Sequence, residues 1–147
     1  EGQESAKIMI QHIFRGNQTP NVLLAALDGQ SARQGAIVNN IVNVDTPGYR
    51  RVEVSFEEEL QKEVARMRPE RASDGSISTD SVDRPLGDFA AKVSIDMSTP
   101  VRFDGSNVRI DREMVELAKA TGKINQLTEL LIRQHRMTRS AILGRNI

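Results

Sequence analysis

Residues 111–143 read DREMVELAKATGKINQLTELLIRQHRMTRSAIL, and their spacing decides the fold. Met114, Leu117, Thr121, Ile124, Thr128, Leu131, His135, Thr138 and Ile142 follow one another at alternating steps of three and four. Such steps lay a heptad seam along one side of a helix, here sustained to about Leu143. Ala120, Leu127 and Leu130 widen the stripe. Asp111 stands where a cap belongs, and Glu113 brings negative charge into the first turn, where the helix dipole favours it. Several seam positions are polar, too many for a self-sufficient two-stranded coil. The pattern suits a helix that packs against several neighbours.

A second long helix is predicted at the other end. Thr19-Pro20 supplies a cap followed by proline at the first helical position, where the missing N–H costs nothing. Val22, Leu23, Leu27, Ile37, Val38, Ile41 and Val44 then mark one face. Gly29 and Gly35 soften its middle by up to about 1 kcal/mol each against alanine. The helix stops at Asn43-Val44-Asp45-Thr46-Pro47-Gly48-Tyr49: proline biases Thr46 away from the α region, and Pro-Gly is the centre of a type II turn.

Between the two helices the signals are shorter. Ser55 and Glu58 form a capping box for a brief helix with Phe56, Leu60, Val64 and Met67 on one face. Residues 69–88 carry Ser, Asp, Gly, Arg and Pro with little to form a core, and read as a flexible loop. Val93, Ile95 and Met97 alternate with Ser94, Asp96 and Ser98 as in a half-buried strand. Asp104-Gly105-Ser106-Asn107 reads as a four-residue hairpin loop between Val101-Arg102-Phe103 and Val108-Arg109-Ile110. The expected fold is mainly α, with long terminal helices forming a coiled-coil domain, a short helix, a flexible middle loop and a small β-hairpin region. Residues 1–18 are a mobile segment, 19–68 and 89–147 one discontinuous helical domain, and 69–88 the loop. The chain opens at Glu1 rather than Met, and Met9 fits a natural start, so about the first eight residues read as a processing or expression remnant.

Composition narrows the function. Aromatic residues make up only 3% of the 147, which favours helix-on-helix packing over an aromatic-lined pocket. Lys plus Arg and Asp plus Glu balance at 20 each, leaving no long-range field to gather nucleic acid or anionic lipid. With no cysteine, disulfides, thiolate metal sites and a cysteine nucleophile are excluded. No stretch approaches the roughly 18 apolar residues of a membrane span. Lys7 precedes only a brief Ile8-Met9-Ile10 cluster, too short for a secretory leader.

Candidate chemical groups are few. His12 lies near the terminus and His135 on the last helix, neither with a partner at metal spacing. Glu57-Glu58-Glu59 fan around a helix axis rather than converge. Arg133, Arg136, Arg139 and Arg145 sit near a helix C-terminus, which favours cations, without aromatic residues to stack bases. The sequence offers no catalytic, cofactor-binding or metal-binding residue, and no cofactor is expected.

One string exceeds what turn chemistry explains. Asn39-Asn40-Ile41-Val42-Asn43, the spacer Val44-Asp45, and Thr46-Pro47-Gly48-Tyr49 resemble the signature of the bacterial flagellar rod and hook (axial) proteins. Val38 and Val42 stand where that pattern has alanine. Arg50-Arg51, Ser55-Phe56-Glu57-Glu58-Glu59-Leu60, and Asp104-Gly105-Ser106-Asn107-Val108 ahead of Asp111-Arg112-Glu113-Met114 resemble the proximal rod branch, so the likeness covers about residues 12–147. The resemblance implies a structural subunit of the basal-body rod in the periplasmic space, exported by the flagellar type III apparatus without a cleaved signal. It implies assembly with itself, other rod proteins, the basal-body base and the export apparatus, to transmit motor torque around an export channel. The motif residues Asn39, Asn40, Ile41, Asn43, Thr46, Pro47, Gly48 and Tyr49, and the seam residues Leu23, Leu27, Ile37, Ile41, Leu117, Ile124 and Leu131, are the expected assembly positions. Another rod or hook component, and an unrelated helical adaptor, are the alternatives.

Overall fold

The computed structural model describes residues 19–66 and 90–144. Helix α1 spans Thr19–Val42, strand β1 Val52–Ser55, helix α2 Glu57–Arg66, strand β2 Lys92–Ile95 and helix α3 Ile110–Leu143. The described chain is mainly helical, with one small two-stranded antiparallel sheet. The expected mobile segment 1–18 and loop 69–88, with His12, Met67 and Arg145, lie outside the described residues.

Helices α1 and α3 lie antiparallel within the one chain. Gln34 Nε2 donates to Thr121 Oγ1 at 3.4 Å, and Asn40 Nδ2 to Glu113 Oε2 at 3.0 Å. Both helices rise equally per residue, so this register sets Ile37 level with about Leu117, and Leu23 with about Leu131. Along α3 the covered or half-covered line is Glu113, Leu117, Ala120, Ile124, Leu127, Leu131, Gln134 and Thr138, again at steps of three and four. Leu117, Ile124, Leu131 and Thr138 are shared with the line predicted from sequence. Met114, Thr121, Thr128, His135 and Ile142 are exposed instead. The stripe on α3 is wide enough to hold two neighbouring seams. The tertiary contacts select the one that carries Glu113 towards Asn40 and Arg51.

The caps also differ from expectation. Arg109, extended at φ −121° and ψ 112°, is the N-cap of α3 and makes no side-chain cap bond. Asp111 is already helical and contributes its charge to the first turn. Gly144 closes the helix in the left-handed region at φ 58°. Ser55 ends β1, so the capping box of α2 does not form; the Phe56 N–H is instead taken by Glu57 Oε2 at 3.3 Å.

Phe56 docks α2 onto α1. A Cβ at Gly29 would lie 2.6 Å from Phe56 Cγ and Cδ2, so the bare helix surface there is what admits the ring. Gly29 is a packing position. Gly35 faces open space, and there the helix-softening reading stands alone. The Arg33 guanidinium sits 4.8 Å from the Phe56 ring centre, donates to Val54 O at 2.9 and 3.1 Å, and forks onto both Glu57 oxygens at 2.6 Å. Those guanidinium bonds hold the Glu57 carboxyl down at about 2.

β1 and β2 pair antiparallel, Val52 opposite Ile95 and Val54 opposite Val93. The expected half-buried strand has no covered face: Val93 and Ile95 are 64% and 58% exposed, Lys92 and Ser94 are exposed with them, and Asp96, just past the strand, is 5% exposed. β1 lies against α1 and buries Val54; β2 lies outboard of it. The expected hairpin is a turn alone. Arg102 N–H bonds Ser106 O at 2.7 Å, with Gly105 at φ 84°, but neither flank is a strand. Val108 is fully buried and Ile110 begins α3.

Candidate functional site

Two asparagine amides and one ion pair tie the end of α1 to the start of α3. The motif helix delivers Asn40 to a fully buried position. Its Oδ1 accepts Val52 N–H at 2.9 Å and its Nδ2 donates to Val52 O at 2.9 Å, so the side-chain amide serves the edge of β1 as a neighbouring strand would. The same Nδ2 reaches Glu113 Oε2 at 3.0 Å, and Tyr49 Oη donates to Asn40 Oδ1 at 3.3 Å. Asn107 repeats the device at the end of the ladder: its Oδ1 accepts Arg51 N–H at 2.6 Å and its Nδ2 donates to Asp96 O at 2.8 Å.

Arg51 occupies the centre. Its Nε donates to Glu113 Oε1 at 2.6 Å, its Nη1 lies 3.3 Å from Asp96 Oδ2, and Nη1 also pairs with Glu53. Burial alone would lower the Arg51 pKa, but the hydrogen bonds it donates to Glu113 and then Glu53 outweigh it and raise it. Asp96 is held well below the usual carboxylate range, first by the Ser98 hydroxyl at 2.6 Å and the Thr99 hydroxyl at 2.5 Å. Every buried polar group in this node has a partner, which is the condition for such a network to specify one arrangement. Nothing in the arrangement shows catalytic activity.

The turn after α1 is built as its residues require. Tyr49 N–H closes on Thr46 O at 3.2 Å around Pro47 and Gly48, and Gly48 lies at φ 73°, the type II position for glycine. Asn43 Nδ2 caps Asn39 O at 2.8 Å and its Oδ1 accepts the Thr46 hydroxyl at 3.3 Å. Gly48 N–H then donates to Asp104 O at 2.9 Å, joining this turn to the one ahead of α3. Asn40, Gly48 and Tyr49 are therefore brought to one place with Asn107 and Glu113. Asn39, Thr46, Pro47 and Gly48 present exposed surfaces, while Ile41, Asn43 and Tyr49 are half-buried.

Comparison with known proteins bears out the family resemblance read from the sequence. No family model matches the chain. It is 34% identical over 119 residues to the flagellar basal body rod protein FlgB of Bacillus subtilis, covering 72% of this chain and 87% of that one. The chain belongs to the FlgB family of flagellar basal body rod proteins. It is also 38% identical over 95 residues to FlgB of Borrelia hermsii, covering 62% of this chain and 70% of that one. With FlgB of Escherichia coli it is 30% identical over 122 residues, covering 81% and 80%.

In this FlgB-family chain the expected seam residues lie on α1 and α3. Ile37 is buried; Leu23, Leu27, Ile41, Leu117, Ile124 and Leu131 are half-buried. Sequence reasoning missed the buried roles of Arg51, Asp96 and Asn107, and read Glu113 only as a negative charge in the first turn, where it does lie. One signal was available for Glu113: it stands four residues before Leu117 and seven before Ala120, on the seam itself. A carboxylate on a seam calls for a buried cation. Nothing local marks Asn107 among ordinary turn asparagines.

Proposed function

We infer that this chain is a structural subunit of the bacterial flagellar basal body rod, and we propose that the α1/α3 pair is its assembling domain. The observation that carries the proposal is the apolar surface outside that pair. Leu24, Val38 and Val42 on α1, and Leu130, Ile132, Met137, Ile142 and Leu143 on α3, are all exposed large apolar residues. Exposed apolar surface repeated along a helix pair marks a surface that other chains cover. The half-buried seam residues close the pair only in part, and helices of neighbouring subunits complete their burial in a coiled-coil packing. Contacts of this kind, repeated head to tail without closing, grow a helical filament.

Family membership supports the finer expectations: other rod proteins and the basal-body base as neighbours, the type III apparatus as the exit route without a cleaved signal, the periplasmic space as the site, and torque transmission around a central channel as the role. In this reading the exposed Asn39, Thr46, Pro47 and Gly48 meet a neighbour at one end of the pair. Among the described residues no helix is long and apolar enough to cross a membrane.

The test replaces one outward apolar residue. Ile132→Asp should leave the free subunit folded, because Ile132 is exposed, yet prevent its incorporation into the rod. Lys123→Asp, an exposed position on the same helix, should assemble and support swimming. Equal assembly of both variants would remove the outer face of α3 from the interface.

A further inference from the structure

We propose that the edge of β2 left unpaired among the described residues pairs with β2 of a second copy of this chain, antiparallel and centred on Ser94. The direction of the main-chain groups carries the first step. Asp96 N–H donates to Arg51 O at 2.8 Å, so those two residues form a hydrogen-bonded pair of the ladder. By alternation Glu53 with Ser94 is bonded likewise, while Val52 with Ile95 and Val54 with Val93 are the pairs whose N–H and C=O groups point away from each other. On β1 those outward groups are used: Asn40 takes both of Val52, and Arg33 takes Val54 O. On β2 the equivalent groups of Val93 and Ile95 point to the other edge, where no strand pairs with it among the described residues, and all four residues of the strand are exposed.

An exposed edge with apolar side chains is a template for another strand, and proteins usually blunt or cover such edges. Here the edge fits itself. A two-fold axis at Ser94 sets Val93 against Ile95 of the second copy and Ile95 against its Val93. Each of those pairs exchanges both main-chain bonds, and apolar side chains meet on one face. On the other face Lys92 falls opposite Asp96 of the second copy. There the Asp96 carboxylate is buried and already held by Ser98, Thr99 and Arg51 of its own chain, so the pairing rests on the main-chain bonds and the apolar face. The contact closes on itself, whereas rod growth needs contacts that do not. It therefore belongs to the free subunit, and it stands independently of the rod assignment.

The absence of native cysteine makes the test direct. Ser94 lies at the non-bonded centre of the proposed pairing, where facing Cβ atoms approach closely enough for a disulfide. In the full chain, Ser94→Cys should oxidise to a covalent dimer about tenfold or more faster than Ser31→Cys, an exposed position on α1. The wild-type protein should show a mass that rises from monomer to dimer with concentration in light scattering. Ile95→Lys should keep the monomer's circular dichroism and lose both the dimer and the fast cross-linking of Ser94→Cys. A wild-type mass that stays monomeric at every concentration overturns the proposal. So does a dimer in which Ser94→Cys cross-links no faster than Ser31→Cys, or one that Ile95→Lys leaves unchanged.

Discussion

Arg51→Met tests whether the polar node holds the two ends of the chain together. Arg51 is the cation between Glu113, whose side chain is 0% exposed, and Asp96, at 2%. After the change Asp96 keeps the Ser98 and Thr99 donors, whereas Glu113 keeps only Asn40 Nδ2 among the described residues. Breaking a buried ion pair from one side costs about 3–5 kcal/mol. Domain stability is about 5–15 kcal/mol, so the loss is a large share of the whole. Arg51→Met/Glu113→Leu removes both partners and should recover most of the loss. Urea midpoints followed by circular dichroism measure both variants against the wild type. A loss under about 1 kcal/mol, or one that the second substitution leaves unchanged, would refute the assignment of the node as what joins α1 to α3.

Three further outcomes follow from single contacts. Gly35→Ala should stabilise by about 0.5–1 kcal/mol, since nothing stands near its new Cβ, while Gly29→Ala should destabilise by about 1–3 kcal/mol by displacing the Phe56 ring; urea denaturation of the pair decides it. Glu57 is held at about 2 against an ordinary 4.5, so its contribution is complete above 4.5 and is lost as pH falls towards 2. Its side chain is half exposed, so the effect is small, and Glu57→Gln should flatten the fall of the urea midpoint over that window. Gly48→Val should cost about 1–2 kcal/mol through the φ of 73° alone, because open space surrounds the added side chain. An unchanged midpoint would mean that the turn relaxes out of that conformation.

The local sequence determined what repeats or what a single backbone fixes. Steps of three and four set α3 almost to its last residue, and Pro47-Gly48 set the turn, because a proline ring and a missing Cβ act whatever surrounds them. The asparagine-rich string named the family without explaining itself. Tertiary structure decided why Asn40 is there: its amide completes an edge of β1 and meets a carboxylate 73 residues away. It likewise chose which of two adjacent seams on α3 is covered, left β2 exposed on both faces, and made Gly29 a seat for Phe56. Periodicity reports which faces of an element are apolar. It carries no information about which distant residue arrives against them, and a buried charge such as Glu113 is stable only once that partner is in place.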